Sequence, residues 1–187
     1  MRRSSCCVFD TRIGWCGIAW TDGGNPAAVT HFQLPEDTLE LTESRIARSS
    51  GAREATTPQA EIGQVIKQVC RHLEGDVQDF RDVVLGVTEE NGFPQEVYEA
   101  ARLIPAGETR TYGGLTKILG RSGSSQAVGQ ALVRNPIPLL IPCHRVAAGG
   151  GRLARFSAYG GLAIKARLLA IEGASLSDGQ GQLFTQP

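Results

Sequence analysis

Thr111-Tyr112-Gly113-Gly114-Leu115-Thr116-Lys117-Ile118-Leu119-Gly120-Arg121-Ser122-Gly123-Ser124-Ser125-Gln126-Ala127-Val128-Gly129-Gln130-Ala131-Leu132-Val133-Arg134-Asn135-Pro136 carries the punctuation of two short helices and the turn between them. Thr111 can N-cap a helix over Tyr112 to Leu119, which Gly120 closes in the C-cap role. Ser124 or Ser125 can cap a second helix running to about Arg134, with Ala127, Val128, Ala131 and Leu132 facing inward, and Asn135-Pro136 stops it. Joined by Gly120 to Gly123, the pair has the proportions of a helix-turn-helix. Spacing alone does not separate a DNA-binding module from an αα-hairpin that binds nothing.

Downstream lies Ile137-Pro138-Leu139-Leu140-Ile141-Pro142-Cys143-His144-Arg145-Val146. An apolar, strand-like run flanked by prolines delivers one thiol into a stiff turn with an imidazole beside it. A thiol at its ordinary pKa is only a few per cent thiolate at neutral pH, so nucleophilic chemistry needs a base or a positive field nearby. His144 can supply the base and Arg145 the field, and the surrounding proline and arginine suggest a constrained, exposed thiol. A glycine-rich loop, 149–151, and a last helix over Gly160 to Gly173 follow, with Leu162, Leu169 and Ile171 among its apolar residues. The polar tail, 176–187, is expected to be flexible.

Upstream, Cys7 to Trp20 places β-branched and aromatic residues around Thr11-Arg12-Ile13-Gly14, the pattern of a hairpin. A third strand is expected near Ala28 to Leu34, and the polar stretch Thr42 to Gln59, with Ser49-Ser50-Gly51 and Pro58, is expected to be an exposed loop. Ile62, Val65, Ile66, Val69 and Leu73 share one face of a helix over Ala60 to Leu73. Val83 to Val87 predicts one more strand, and a helix over Pro94 to Leu103 precedes the turn Ile104-Pro105-Ala106-Gly107.

The chain has 187 residues, of which 41% are hydrophobic and 20% charged, the balance of a globular domain or two small ones. No apolar run reaches the roughly 20 residues needed to span a bilayer, and the start lacks a secretory signal, so a cytoplasmic protein (nuclear in a eukaryote) with no membrane partner is expected. Five cysteines, Cys6, Cys7, Cys16, Cys70 and Cys143, without an export signal argue for free thiols rather than a disulfide framework. Net charge is zero, but residues 1–90 carry 9 Lys/Arg against 14 Asp/Glu, and residues 91–187 carry 10 against 5. A basic half joined to an acidic half is compatible with one face meeting a polyanion. The sign changes near Glu89 to Gly92, the expected boundary between units at 1–90 and 91–175.

Ile141-Pro142-Cys143-His144-Arg145-Val146, with Asn135-Pro136 before it and Gly160-Gly161-Leu162, Lys165 and Leu168-Leu169-Ala170-Ile171-Glu172-Gly173 after it, closely resembles the 6-O-alkylguanine-DNA alkyltransferases, or methylated-DNA-protein-cysteine methyltransferases. Ile104 to Gly113 resembles that family's entry into its helix-turn-helix, and Ala127-Val128-Gly129 part of its recognition helix. The resemblance implies an α/β plus α fold: a small ribonuclease-H-like α/β N-terminal domain, then a mostly helical domain with a winged-helix-like helix-turn-helix.

It also implies an activity. The damaged nucleotide of double-stranded DNA is rotated out from the minor groove, and Cys143 accepts the alkyl group of 6-O-alkylguanine, with 4-O-alkylthymine a further candidate, in an irreversible, single-turnover transfer. The resemblance makes His144 the base, acting through a water, and Glu172 its orienter. Asn135 links the recognition helix to the active-site turn, and Tyr112 donates to the departing guanine. Val146, Ser157 and Arg145 would lie on the substrate side, and Ser125, Gln126, Ala127, Arg121 and Arg134 on DNA. No cofactor is implied. Some members of the family bind a structural zinc in the N-terminal domain through Cys and His, but Cys6, Cys7, Cys16, His31, Cys70 and His72 fit no compact zinc spacing, and no metal is expected. A monomer is expected.

At Gln126 the family usually has an arginine, which fills the gap left by the flipped base; an amide loses the stacking of a guanidinium. The alternative is a non-transferring, alkyltransferase-like lesion binder, but those relatives replace the cysteine and Cys143 is retained. A cysteine peptidase on Cys143 and His144 would leave the helix-turn-helix unexplained.

Overall fold

The computed structural model describes residues 4–22, 26–52, 56–86, 92–149, 153 and 156–174. The hairpin forms as β1 (Ser4–Phe9) and β2 (Cys16–Thr21), antiparallel, with Phe9 paired to Cys16 across a turn closed by Thr11 and Gly14. β3 (Val29–Gln33) adds antiparallel to β2, with a bulge between Ala19 and Trp20. The alternation of the pleat sorts β2 cleanly: Cys16, Ile18 and Trp20 enter the main core, while Ala19 joins Cys6, Ile46 and Ala52 in a second cluster on the other face.

That second cluster corrects one expectation. Within Thr42 to Gln59, expected to be an exposed loop, the chain forms most of a helix, α1 (Leu39–Ser50), which Thr38 caps by accepting from Leu41 N and Gly51 ends in the left-handed region. Only Thr42 and Ile46 are buried on α1, so its sequence is polar nearly all round. The helix docks because Gly17 has no side chain: a Cβ there would lie 2.9 Å from Ile46 Cβ.

The main face of the sheet is covered by α2 (Ala60–Leu73), whose Ile62, Val65, Val69 and Leu73 are buried as the periodicity predicts, together with His72. The strand expected at Val83 to Val87 reduces to a single parallel bridge, Leu85 to Val29, with Val87 outside the described residues. The expected boundary at Glu89 to Gly92 and the tail also lie there, apart from Gly92.

The second half contains α3 (Phe93–Arg102), a two-residue strand β4 (Arg110–Thr111), α4 (Tyr112–Ile118) and α5 (Ser125–Val133). Thr111 caps α4 through Gly114 N, and Gly120 follows with φ 65°. On α5, Val128, Ala131 and Leu132 are buried at i, i+3 and i+4, which turns Ala127 outward to solvent, against the expectation that it faces in. Ile137 to Ile141 is no strand: it is a turn bridged Pro138 to Ile141, with Leu139 at φ 75°. A 3₁₀ turn (Cys143–Arg145), β5 (Val146–Ala147), parallel to β4, and α6 (Gly161–Ile171) follow among the described residues.

One apolar core runs through both halves, from Ile18 and Trp20 to Val97, Leu115, Ile141 and Leu168. Hydrogen bonds tie the halves as well: Phe32 N donates to Pro136 O at 2.9 Å, and the Arg102 side chain donates through Nη2 to the carbonyls of Phe80, Arg81 and Val83. Among the described residues no helix is long and apolar enough to cross a membrane.

Candidate active site

The turn Ile137 to Pro142 aims Cys143 at Asn135. Asn135 Nδ2 donates to Cys143 Sγ at 3.2 Å and to Ile141 O at 2.9 Å, while its Oδ1 accepts from Ile137 N at 3.0 Å. One amide thus ends α5, shapes the turn and faces the nucleophile. Cys143 is 5% exposed, not the exposed thiol expected from the surrounding proline and arginine. Burial raises its pKa, against which the Asn135 amide, the Lys165 ammonium and the N–H groups of Cys143 and His144 pull down. The resting group is a thiol in a pocket pre-set with donors for a thiolate.

Replacing Asn135 by alanine is expected to strand the Ile137 N–H, at about 1–3 kcal/mol when buried, while the Ile141 carbonyl keeps the Cys143 N–H at 2.8 Å. Urea unfolding measures that loss, and the pH dependence of Cys143 alkylation by a small reagent should shift upward as a thiolate donor disappears.

His144, Arg145 and Glu172 form a second, buried layer of the site. His144 Nε2 lies 2.8 Å from Glu172 Oε1, and Arg145 forks onto the same carboxylate, Nε to Oε2 at 2.9 Å and Nη2 to Oε1 at 2.8 Å. Its Nη1 reaches Ile104 O at 2.6 Å, where the Ile104–Gly107 turn packs over Glu172. Arg145 therefore serves the carboxylate rather than lining the substrate side as expected. Burial on its own would raise the Glu172 pKa, but hydrogen bonds from His144, His72 and Arg145 hold it far below the usual carboxylate range. Burial lowers that of His144, with Glu172 opposing. A carboxylate only accepts, so Nε2 of His144 carries the proton; Nδ1 is left bare, buried and without a hydrogen-bond partner, in the state of a base.

Tyr112 is half-buried at the start of α4, its pKa raised by burial and by the charge of Cys143. Val146 is buried, its N–H bound to Cys143 O and its carbonyl accepting from Lys165 Nζ at 2.5 Å. Burial brings the Lys165 pKa down to about 8. Ser157 is exposed on the wall of a cleft shared with His31, Phe32, Asn135 and Pro138. Gln126, Ala127 and Arg134 lie exposed on or at the end of α5, and Ser125 is half-buried at its start. Arg121 spends its guanidinium on Glu96, at 2.9 Å, over the Phe93 ring.

Two buried residues that contact the site escaped the sequence. Lys165 is visible there only as one letter of a motif. His72 looks like a stray histidine, yet its Nε2 lies 3.1 Å from Glu172 Oε1; its one signal was a polar residue on the otherwise apolar stripe of Val65, Val69 and Leu73. Among the described residues, no group of three or more His, Cys, Asp or Glu side chains is placed to hold a metal ion.

Comparison with known proteins converges on one family. The family model for the DNA-binding domain of 6-O-methylguanine DNA methyltransferase matches residues 92–174. The methylated-DNA–protein-cysteine methyltransferase of Methanosarcina acetivorans is 34% identical over 166 residues, 89% of this chain and 96% of that protein. The protein of the same name from Mycobacterium leprae is 32% identical over 89% of this chain and 91% of its own length. The crystal structure of Mycobacterium tuberculosis OGT in complex with DNA superposes with a TM-score of 0.71 at 29% identity, covering 92% of this chain and 96% of that one. The O6-methylguanine-DNA methyltransferase of Pyrococcus kodakaraensis gives 0.69 at 27% identity, covering 91% and 99%.

Proposed function

This chain belongs to the methylated-DNA–protein-cysteine methyltransferases, and from that premise we propose that Cys143 takes the alkyl group of a 6-O-alkylguanine in double-stranded DNA, repairing the base by direct reversal. The observation that carries the assignment to these residues is that Asn135 donates to the Cys143 sulfur while the adjacent His144 is held by a buried Glu172.

The protein binds DNA, and its helix-turn-helix is α4 and α5. Exposed Gln126 and Ala127, with Ser125 at the helix start, face the duplex, and Gln126 intrudes where a nucleotide rotates out. Arg134 is free to meet phosphate, and Arg121 does so by exchanging Glu96 for it. The extruded base enters against Tyr112, whose raised pKa keeps its hydroxyl a donor, beside Val146 and Ser157.

His144 Nδ1 receives the thiol proton through a water while Glu172 holds the imidazole and balances its charge. The thiolate, held by Asn135 and the backbone N–H groups, attacks the alkyl carbon. The S–C bond forms as the C–O6 bond breaks, and guanine leaves with a proton supplied from the Tyr112 side. The product thioether has no leaving group to reverse it, so each molecule acts once. A 4-O-alkylthymine presents the same alkyl–oxygen bond and is a second substrate candidate.

Three antiparallel strands with helices on both faces support a ribonuclease-H-like domain at 1–90. The β4–β5 ladder beside α4 and α5 supports a winged-helix-like domain at 91–175. The protein acts as a monomer, in the cytoplasm or in the nucleus of a eukaryotic cell.

Intact-mass spectrometry after mixing with a duplex carrying one 6-O-methylguanine tests the function. The expected result is a gain of about one methylene, saturating at one per molecule and mapped to the Cys143 peptide. Tight binding to the lesion duplex with no gain would instead select the non-transferring lesion binder.

A further inference from the structure

Glu172 is gripped from both halves of the chain, and the grip from the first half comes from a histidine. His72 is fully buried on α2. Its Nδ1 accepts from the backbone N–H of Gln78 at 3.1 Å, which requires a lone pair on that nitrogen and puts the proton on Nε2. Nε2 in turn lies 3.1 Å from Glu172 Oε1, the oxygen that His144 Nε2 also uses. The Phe80 ring packs against the imidazole at 5.1 Å. The backbone therefore selects a neutral Nε2–H tautomer and points it at the carboxylate.

We propose that His72 is a positioning residue for alkyl transfer, fixing Glu172 from across the boundary between the halves so that His144 is held with Nδ1 as its free base nitrogen. The inference rests on the function proposed above. The titratable and charged groups facing His72 are Glu172 from the end of α6 and His144 and Arg145 from the 3₁₀ turn. Oε1 accepts from all three, and Oε2 from Arg145 Nε. With three donors on one oxygen the carboxyl group cannot rotate away from His144, and its charge is shared rather than concentrated on the base. Without the His72 donor, more of that charge falls on His144 and makes it more basic.

Two near-isosteric variants separate this role from mere packing. The His72→Gln amide reaches the place of Nε2, keeping a donor for Glu172 and losing the acceptor for Gln78. The His72→Asn amide reaches the place of Nδ1, keeping the acceptor for Gln78 and losing the donor. Each gives up one hydrogen bond, so a comparable fall in Tm is expected. The single-turnover rate of methyl transfer should stay within about threefold of wild type in His72→Gln and drop about tenfold or more in His72→Asn, the equivalent of one hydrogen bond to a charged group. The midpoint of the rate's rise with pH should move upward only in His72→Asn. Equal rates in the two variants, or an unmoved midpoint, would overturn the proposal.

Should both variants fail to fold, long-range proton–nitrogen spectra of histidine-labelled wild type decide. A bare Nδ1 and a protonated Nε2 at His72 support the role; a proton on Nδ1 refutes it. Wild-type protein that transfers no methyl group would sink the function itself, whereas transfer by wild type with a fast His72→Asn would sink only this inference.

Discussion

Cys143→Ala is expected to abolish methyl uptake completely while leaving the affinity for a lesion-bearing duplex within about threefold, since the phosphate and groove contacts that dominate DNA affinity come from elsewhere. The side chains proposed to face DNA stand on α4 and α5, whereas the sulfur is buried and contributes a bond rather than a contact. No other thiol can substitute. Burial raises the pKa of Cys6 and Cys70, that of Cys7 to about 11 and that of Cys16 to about 12. None of the four has the Asn135 amide or the His144 base beside it. Truncating one buried sulfur costs on the order of 1 kcal/mol, so the variant should fold. Intact mass and an equilibrium binding titration on one preparation check both halves of the result. A methyl adduct on the variant would remove Cys143 from its assigned role.

Glu172→Gln should slow transfer without abolishing it and be worse for stability. The amide presents a single acceptor oxygen where His72, His144 and Arg145 all donate, and it leaves the buried Arg145 guanidinium with no counter-charge. Breaking a buried pair on one side costs roughly 3–5 kcal/mol, readable as a lower urea midpoint. Transfer at neutral pH should fall about 10²-fold or more as the general base loses its orienter.

The pH dependence of stability carries a sign that follows from the same groups. His144 is held neutral in the fold, so below about 6.5 the unfolded chain binds the proton more readily, and stability declines as pH falls. Glu172 is held ionised, so its contribution is complete above about 4.3 and is lost as pH drops further toward its depressed folded pKa. Wild-type Tm should therefore fall in two stages on acidification, and Glu172→Gln should lose the lower stage. A variant whose Tm still falls as steeply as wild type below pH 4.3 would mean that Glu172 is not the group titrating there.

The sequence by itself determined what local chemistry encodes. Thr111 capping α4, Gly120 closing it, Asn135-Pro136 stopping α5 and the proline-bounded delivery of Cys143 all act within a few residues, so their signals are contiguous in the chain. It left α1 hidden, because a helix that buries only Thr42 and Ile46 reads as polar loop, and only the bare backbone of Gly17 on another strand makes a seat for it.

The tertiary structure alone decided the interior of the site. Whether Cys143 is buried, whether Arg145 faces substrate or carboxylate, and whether His72 matters at all depend on what the fold places beside each of them. His72 and Glu172 stand 100 residues apart and meet through one hydrogen bond. A buried charge must find its partners wherever packing allows, since the cost of leaving it alone exceeds that of any local preference; those partners are set by the assembled core, and no spacing along the chain records them.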